Sequence, residues 1–329
     1  MQDFLIQYSA DPNIKISDLK SGKSFDIDTS SLKSRSNKNN IHAIIDGDKN
    51  FHYRFLTIKS KPYIIYYKGN LDILNKPILG IVGPRKMTEY ANRVMHKFFE
   101  SASTYDLVTV SGMAPGVDQL CHSLSIKHKI PTIAVLGGGL KRYLERSNRH
   151  IINSIVDHGG LVISEYKLDF QPTNYSFPQR NRIIAGLCDS LFLPEAGEDS
   201  GSLITVDFAI KMQKPIYGIP NDIFSDSSKG INQYISQKKI NLISDFKFLS
   251  KHFSYDKQFP IPNKPIPNIS LSENEQKILT IISAYPSISL SNLAIQSQLS
   301  DSDLIGFITL LEINKLIYQD SPNTYKILG

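Results

Sequence analysis

The sequence predicts an α/β protein: a Rossmann-like, mostly parallel sheet with helices on both faces, followed by a small C-terminal domain with a winged-helix layout. Three observations lead to this fold class. Six short apolar runs alternate with segments of helical length between residues 71 and 252. A proline-rich joint follows at 253–269, and three helical segments with a hairpin pattern occupy 270–329. Continuous apolar strands separated by helices are typical of a parallel sheet that is covered on both faces.

The elements of the first domain follow from these runs in chain order. Residues 1–70 show no regular periodicity, and we expect an irregular N-terminal region with a polar, partly basic loop at 30–40. The strand candidates come next: ILGIVG (78–83), LVTV (107–110), TIAVLG (132–137), LVIS (161–164), SLFL (190–193) and PIYGIP (215–220).

The second domain begins after KQFPIPNKPIPN (257–268), a composition that predicts a stiff linker. Ser272 and Glu275 form a capping-box pattern at the start of its first helix. Two further helices are expected near 289–297 and 301–313, and LIYQDSPNTYKIL resembles a β-hairpin. Three lysines against six carboxylates give residues 270–329 a net charge of −3, which leaves +9 for residues 1–269. A DNA-reading helix is usually basic, so we expect this domain to contact protein, or another part of the same protein, and not DNA.

Bulk composition limits the function classes. The net charge of +6 suits an anionic partner without requiring one. Cys121 and Cys188 have no second cysteine nearby, so neither a disulfide framework nor a zinc site is expected. The N-terminus lacks a secretory pattern, and no apolar stretch is long enough to span a bilayer. We therefore expect a soluble, cytoplasmic protein with no membrane partner, no metal and no cofactor.

Glycine-rich loops follow several predicted strands. They are GPR (83–85), SGMAPGVD (111–118), GGGL (137–140) and EDSGSLIT (198–205). Glycines before a helix start let backbone N–H groups approach an oxygen-rich, negatively charged ligand, and ligands of open parallel sheets bind at the carboxyl ends of the strands. Neither the Walker A pattern nor GxGxxG is present, which argues against a P-loop nucleotide site and against a nicotinamide dehydrogenase.

Two arginines, Arg180 and Arg182, stand in the first turn of a predicted helix, where the helix dipole disfavours cations. A bound anion would reverse that effect. Together with Arg85 they could line a phosphate-binding edge, with Phe177 as a stacking surface for a base. Positions 180 and 182 are about 200° apart on a helix, so one could instead pair with Glu195 or Glu165. The other interpretation makes both arginines structural ion-pair partners.

Six segments together resemble the DNA-processing protein A family, also called DprA or Smf. They are GIVGPRKMTEYANRV, VSGMAPGVDQLCH, TIAVLGGGLKRYLERSNRH, GLVISEY, NYSFPQRNRIIAGLCDSLFLPEAG and SGSLITVDFAIKMQKPIYGIP, and the similar spacing covers about residues 55–245. The resemblance implies an extended Rossmann fold that binds single-stranded DNA, forms homodimers and loads the RecA recombinase during natural transformation. Carried over by motif, the DNA-binding residues are Arg85, Ser111, Gly112, Gly137, Gly138, Phe177, Arg180, Asn181, Arg182, Ser200, Gly201, Ser202 and Lys211.

The chain departs from the family pattern at two points. Pro84 stands where the family usually has serine, and Pro115 lies in the second glycine loop, where it removes an N–H donor.

The alternative function is a nucleotide phosphoribohydrolase-like enzyme of related fold, because SLFLPEAGEDSGSLIT resembles the PGGxGTxxE segment of such enzymes. With Gly201–Ser202 matched to GT, the catalytic glutamate position falls on Thr205, which cannot act as a general acid or base near neutral pH. We therefore predict no catalytic residues and a protein that is not an enzyme.

Overall fold

The computed structural model describes residues 39–46, 48, 51–145, 148–253, 271–284, 288–314, 316–321 and 324–327. Most of the predicted N-terminal loop at 30–40 and nearly all of the predicted linker at 253–269 lie outside these residues. The chain forms two compact units, Met1–Asp256 and Lys257–Gly329. Within the described ranges, no helix is both long enough and apolar enough to cross a membrane.

The first unit is built on one sheet whose strands, in order across it, are β1-β2-β6-β5-β4-β3-β7-β8-β9. These strands are β1 His42–Ile45, β2 Ile64–Gly69, β3 Ile78–Ile81, β4 Val108–Ser111, β5 Thr132–Val135, β6 Leu161–Ser164, β7 Ser190–Leu193, β8 Ile216–Gly218 and β9 Asn241–Leu242. The helices between them are α1 Tyr53–Leu56, α2 Glu89–Ala102, α3 Val117–Lys127, α4 Leu140–Leu144, α5 Arg149–Asp157, α6 Ser176–Leu187, α7 Gly201–Lys211, α8 Lys229–Ser236 and α9 Leu249–His252.

The predicted fold class is confirmed. All six strand candidates form, as β3 to β8, and every pairing among β3 to β9 is parallel. The expectation of an irregular region up to residue 70 is wrong for β1 and β2, which pair with each other and add an antiparallel edge to β6. Both strands carry runs of isoleucine, but they are joined by a helix and a long loop, which hides the period-2 signal.

Strand β3 lies between β4 and β7, so the chain order reverses at this strand. Crevices at such switch points, outside the carboxyl ends of the strands, are where open α/β sheets bind ligands. Helix α2 starts directly above this point: the Thr88 side chain accepts a hydrogen bond from Ala91 N at 3.2 Å and caps the helix. Farther along α2, Phe98 stacks on Phe192 of β7 with a ring separation of 4.7 Å. Helix α2 thus packs on β7 through Phe98.

A buried arginine that the sequence analysis did not single out joins the 53–56 helix to the sheet. Arg54 is 7% exposed and forms a two-point ion pair with Asp189, at 2.6 and 3.0 Å. It also donates to the carbonyl oxygens of Leu74, Lys76 and Leu187. Asp189 in turn accepts from Ile78 N at 2.7 Å. We call the Arg54–Asp189 pair the brace. It holds the N-terminal part of the unit onto the first residue of β3.

The second unit contains α10 Glu273–Ala284, α11 Leu290–Ser297 and α12 Asp301–Ile313, with strands β10 Ile288–Ser289, β11 Ile317–Ser321 and β12 Thr324–Ile327. The three predicted helices and the hairpin are confirmed, and β10 adds a strand in the order β10-β12-β11. The capping box is also confirmed: Ser272 N donates to Glu275 Oε2 at 2.7 Å, and Glu275 N donates to Ser272 Oγ at 3.4 Å. Assignment of this unit as a winged helix stays a prediction.

Candidate nucleic-acid interface

A groove of about 740 Å³ opens at the carboxyl ends of β3 and β4, between the N-terminal ends of α6 and α7. It is the place where the sequence analysis expects the ligand. Its walls are formed by the loop after β3, the first turn of α6, the loop before α7 and the turn at 226–229. The lining residues discussed below are Arg85, Lys86, Asp118, Phe177, Arg180, Asn181, Glu198, Asp199, Ser200, Gly201, Ser202, Thr205, Asp226, Ser227 and Lys229.

Arg85 and Lys86 are exposed cations that line the groove. Both side chains are exposed, and neither forms an ion pair with any residue in the described part of the chain. The Arg85 guanidinium lies 5.4 Å from the centre of the Phe177 ring, within the range of a cation–π contact. Predicted residues from β3 and α6 thus meet, and they place a positive charge beside an aromatic surface.

The N-terminus of α7 faces the same groove. The Ser200 side chain caps it, accepting from Ser202 N at 3.4 Å. Gly201 is exposed, and a Cβ added there would meet no heavy atom within 4 Å. Asn181 reaches across from α6 and donates to Gly201 O at 3.4 Å. The serine–glycine–serine loop and Asn181 are therefore brought together with Arg85 and Phe177, as predicted.

Arg180 does not face the groove as an open cation. It is 3% exposed, and its Nη1 donates to the carbonyl oxygens of Gly112 and Val135, which end β4 and β5. Burial lowers the pKa of the guanidinium, and the nearby Asp118 carboxylate opposes that shift. DNA contact by Arg180 stays a prediction, and in this arrangement the Nη1 donor is used on backbone carbonyl oxygens at the ends of the parallel strands.

Arg182 points away from Arg180, as expected for residues about 200° apart on a helix. It forms a two-point ion pair with Glu165, with both N–O distances at 2.5 Å, and donates to Ser60 O at 2.8 Å. The exposed fractions of the two charged side chains are only 13% and 16%. The predicted pairing with Glu165 is therefore confirmed for Arg182, and direct DNA contact by this residue stays a prediction.

The glycines after β4 and β5 are packed against the protein itself. A Cβ on Gly112 would lie 2.5 Å from the Arg180 guanidinium, one on Gly137 would lie 2.7 Å from the Phe177 ring, and one on Gly138 would lie 2.6 Å from Pro172. Ser111 is buried and donates to Ile81 O at 2.7 Å. The phosphate contacts at Ser111, Gly112, Gly137 and Gly138 therefore stay a prediction. What the structure does show is that these glycines allow α6 and the segment before it to pack closely on the strand ends.

Lys211 stands at the last residue of α7, while the groove lies at the first. Ten residues of α-helix separate the two ends by about 15 Å. The Lys211 ammonium lies 5.9 Å from the Phe208 ring. The structure thus separates Lys211 from the other predicted DNA contacts.

Charges of both signs line the groove. Asp118 is buried, and desolvation raises its pKa, while the Arg180 cation opposes the shift. Lys229 pairs with Asp226 at 2.6 Å, so its charge is locally compensated. Glu198 and Asp199 are exposed on the loop before α7. Arg85 and Lys86 would therefore attract a polyanion in the groove, and the carboxylates at 198–199 would repel it.

The alternative function as a phosphoribohydrolase-like enzyme depends on the residue at position 205. Thr205, at the position that matches the glutamate of the phosphoribohydrolase pattern, is 1% exposed. Among the described residues, no group of three or more histidine, cysteine, aspartate or glutamate side chains is arranged to hold a metal ion.

Comparisons with known proteins agree with this architecture. The chain is 33% identical over 213 residues to the DNA processing protein DprA of Streptococcus pneumoniae, which is 65% of this chain and 74% of that protein. The X-ray structure of the S. pneumoniae protein matches with a TM-score of 0.63 and 30% identity, over 77% of this chain and 87% of that chain.

A second solved structure, described as showing the single-stranded DNA binding mode of DNA processing protein A from Helicobacter pylori, matches with a TM-score of 0.56 and 27% identity. It covers 64% of this chain and 93% of the other. The family model for DNA recombination-mediator protein A matches residues 42–254, from β1 to the end of the first unit's last helix. Since this match covers well over half of the chain, the protein belongs to the DNA recombination-mediator protein A family.

Proposed function

We propose that the groove binds single-stranded DNA and that the protein acts as a recombination mediator, which passes the bound strand to the RecA recombinase during natural transformation. Membership of the recombination-mediator family supports the general activity. The H. pylori neighbour, whose solved structure concerns single-stranded DNA binding, supports the choice of ligand.

One observation carries the proposal: an exposed guanidinium, Arg85, lies over the ring of Phe177 at the mouth of a groove. Single-strand binding needs cations that follow the phosphates and aromatic faces on which bases stack. Lys86 adds a second open charge, and the N-terminus of α7 supplies backbone N–H groups on the opposite wall. The proposed contacts are therefore Arg85, Lys86, Phe177, Asn181 and the loop 200–202.

The test is a titration of a labelled single-stranded oligonucleotide at several salt concentrations, with duplex DNA for comparison. The slope of log affinity against log salt is expected to be about −0.7 for each phosphate that is neutralised. Arg85→Ala should weaken binding and make the slope shallower by about 0.7. Lys211→Ala removes an equally exposed cation at the far end of α7 and is the matched control, with no expected change. Equal affinity of wild type and Arg85→Ala would contradict the proposed site.

Transfer to RecA is tested on single-stranded DNA coated with a single-strand binding protein. Adding the mediator should shorten the lag before RecA hydrolyses ATP, and Arg85→Ala should restore the lag. The homodimer that the family resemblance implies is part of the proposal, and sedimentation velocity at several concentrations measures it. A monomer at all concentrations would contradict the dimer without affecting the groove.

We further propose that the acidic second unit contacts protein rather than DNA. Helix α12 begins with two carboxylates, Asp301 and Asp303, and exposes Ile305 and Ile313 to the extent of 52% and 69%. A chain ending at residue 256 should therefore bind single-stranded DNA with unchanged affinity and salt slope. Loss of either would place DNA contacts in the second unit.

The proposed activity includes no chemical step. Thr205 replaces the glutamate that a phosphoribohydrolase would need, and a hydroxyl group cannot serve as its acid or base near neutral pH. Incubation with nucleoside monophosphates should therefore release no free base. Release of a base would favour the enzyme instead.

A further inference from the structure

Helix α12 of the second unit is apolar on two sides, but its own unit covers only one of them. The residues that it contributes to the core of the unit are Leu304, Ile308 and Leu311. On the other side, Ile305, Leu310 and Ile313 are exposed to the extent of 52%, 47% and 69%. A helix with apolar residues all round is normally buried all round. The exposed side of α12 therefore lacks a cover.

We call this exposed side the α12 face. Its residues are Ser302, Ile305, Gly306, Thr309, Leu310 and Ile313. At about 100° per residue they lie within an arc of about 140° on the helix. The three carboxylates of α12 fall outside this arc, so the face is free of charge. Helix sides that face water usually carry charged residues, and the α12 face is instead suited to another apolar surface.

The two hydroxyl groups on the α12 face already have partners. Thr309 Oγ1 donates to Ile305 O at 2.8 Å, and Ser302 Oγ lies 3.0 Å from Ser300 Oγ. Covering the face would therefore leave neither hydroxyl without a hydrogen bond, and the usual penalty for burying a polar group would be avoided.

Gly306 lies in the middle of the α12 face. A Cβ added there would meet no heavy atom within 4 Å, so packing within the chain does not require a glycine. Only proline is less favourable than glycine in a helix interior. A glycine on an exposed helix side allows another backbone to approach closely, and this use fits an apolar face.

Two copies of the α12 face fit each other in antiparallel order. A two-fold axis that passes between residues 307 and 308 of each helix makes the contact isologous, so that each residue pair occurs twice. The pairs are Ser302 with Ile313, Ile305 with Leu310 and Gly306 with Thr309. At each end a large side chain then lies over a small one, and the glycine lies at the crossing point.

The charges of α12 favour the same arrangement. In antiparallel order the Asp301 carboxylates of the two copies are about 20 Å apart, more than twice the Debye length of about 8 Å. A parallel order would bring Asp301 and Asp303 of both copies together. DNA is disfavoured as the occupant, because α12 contains no lysine, arginine or histidine and its first turn is acidic.

We propose that the α12 face binds the α12 face of a second copy of this chain. This inference rests on the proposed protein contact of the second unit and names its partner. The helix measures about 20 Å by 10 Å, which gives a projected contact on the order of 200 Å² per copy. Stable dimers bury about 800 Å² per partner. The contact is therefore weak, and it forms at high protein concentration.

The test traps the contact with a disulfide in the full chain. In the proposed pairing the two copies of residue 306 lie beside the axis, at a distance that suits the Cα separation of about 4.4–6.8 Å in a disulfide. Gly306→Cys is oxidised with copper phenanthroline at about 100 μM protein, since a contact of this size is weak, and the dimer is measured on a non-reducing gel. Burial raises the pKa of Cys121 and Cys188 to about 12, so these two thiols should not react.

The matched control is Thr280→Cys, at an exposed position inside helix α10 of the same unit. Gly306→Cys should form the linked dimer at least about 10-fold faster than this control, because the contact raises the effective concentration of its thiol. Adding Ile313→Glu to Gly306→Cys should reduce the rate to that of the control, since an unpaired charge would be buried. Thr280→Glu adds the same charge on α10 and should leave the rate of Gly306→Cys unchanged.

The outcomes separate this inference from the proposed function. Equal rates for Gly306→Cys and Thr280→Cys overturn the contact between copies, and so does a fast rate that Ile313→Glu does not slow. A thiol at position 306 that neither links nor reacts with a maleimide would mean that the chain itself covers the face, which also overturns it. Protection of this thiol by duplex DNA overturns both this inference and the proposed protein contact. The chain that ends at residue 256 tests the role of the second unit in DNA binding separately.

Discussion

Replacing Arg180 with alanine should lower the stability of the folded protein rather than its affinity for DNA. The guanidinium is buried between α6 and the sheet and donates to the carbonyls of Gly112 and Val135. Its charge also opposes the pKa rise that burial causes at the Asp118 carboxyl group. Alanine removes the donors and leaves two carbonyl groups without their partner.

The magnitude follows from those contacts. A hydrogen bond from a charged donor contributes about 1.5–3 kcal/mol, and two of them are lost. The effect of the lost charge on Asp118 is smaller, because no direct ion pair joins the two side chains among the described residues. We therefore expect the free energy of unfolding to fall by about 3–5 kcal/mol, mainly from the two lost hydrogen bonds. For a unit of this size, the melting temperature should fall by roughly 6–20 °C.

Urea unfolding followed by circular dichroism measures the change, with Arg180→Lys as a second variant. Lysine keeps the charge but lacks the planar guanidinium that donates to two carbonyl oxygens at once. The stability of Arg180→Lys should therefore lie between those of the wild type and Arg180→Ala. The reasoning is refuted if Arg180→Ala keeps wild-type stability while the salt slope of DNA binding becomes shallower by about 0.7. That result would mean that the guanidinium faces the strand.

Three further predictions concern groups that the fold buries. Arg182→Ala should lower the free energy of unfolding by about 1–3 kcal/mol, as expected for a half-buried pair with Glu165, and should leave the salt slope of DNA binding unchanged; a shallower slope would contradict the structural role. Burial, with a smaller effect of the Arg180 cation, lowers the pKa of His122 from 6.5 to about 3. Because the folded state then binds the proton less tightly than the unfolded state, stability is lost as the pH falls below 6.5. Between pH 7.5 and 4.5 the wild type should lose about 3 kcal/mol more than His122→Gln in urea unfolding, and equal losses would show that His122 is not buried as a neutral group. Gly137→Ala should weaken single-strand binding and lower the melting temperature together, since its Cβ would displace the Phe177 ring, and an unchanged affinity would show that the ring position is unimportant.

Sequence patterns were a reliable guide to the fold and a poorer guide to side-chain direction. Strands β3 to β8 were predictable because each is a continuous apolar run between glycine and polar segments. Strands β1 and β2 were missed because they precede residue 71, where the alternation of apolar runs with helical segments begins. The Arg54–Asp189 brace was missed because 135 residues separate the two side chains.

For the motif residues, too, the sequence predicted the position in the fold better than the direction of the side chain. The glycine loops correctly marked the carboxyl edge of the sheet, and the groove lies there. Arg85, Phe177 and the 200–202 loop meet in it as predicted. For Arg180 and Arg182 the helical spacing showed that they must diverge but not which partners they would find. The identity of those partners depended on the carbonyl ends of β4 and β5 and on Glu165, at the end of β6.

Local chemistry was sufficient to determine the α/β layering, the capped helices and the edge of the sheet where a ligand could bind, because apolar runs, caps and glycines act within a few residues of the chain. Only tertiary packing decided which cations remain open to a ligand. A buried backbone carbonyl or a carboxylate from a distant strand can accept the hydrogen bonds of a guanidinium in place of a phosphate, and its position is fixed only when the sheet assembles.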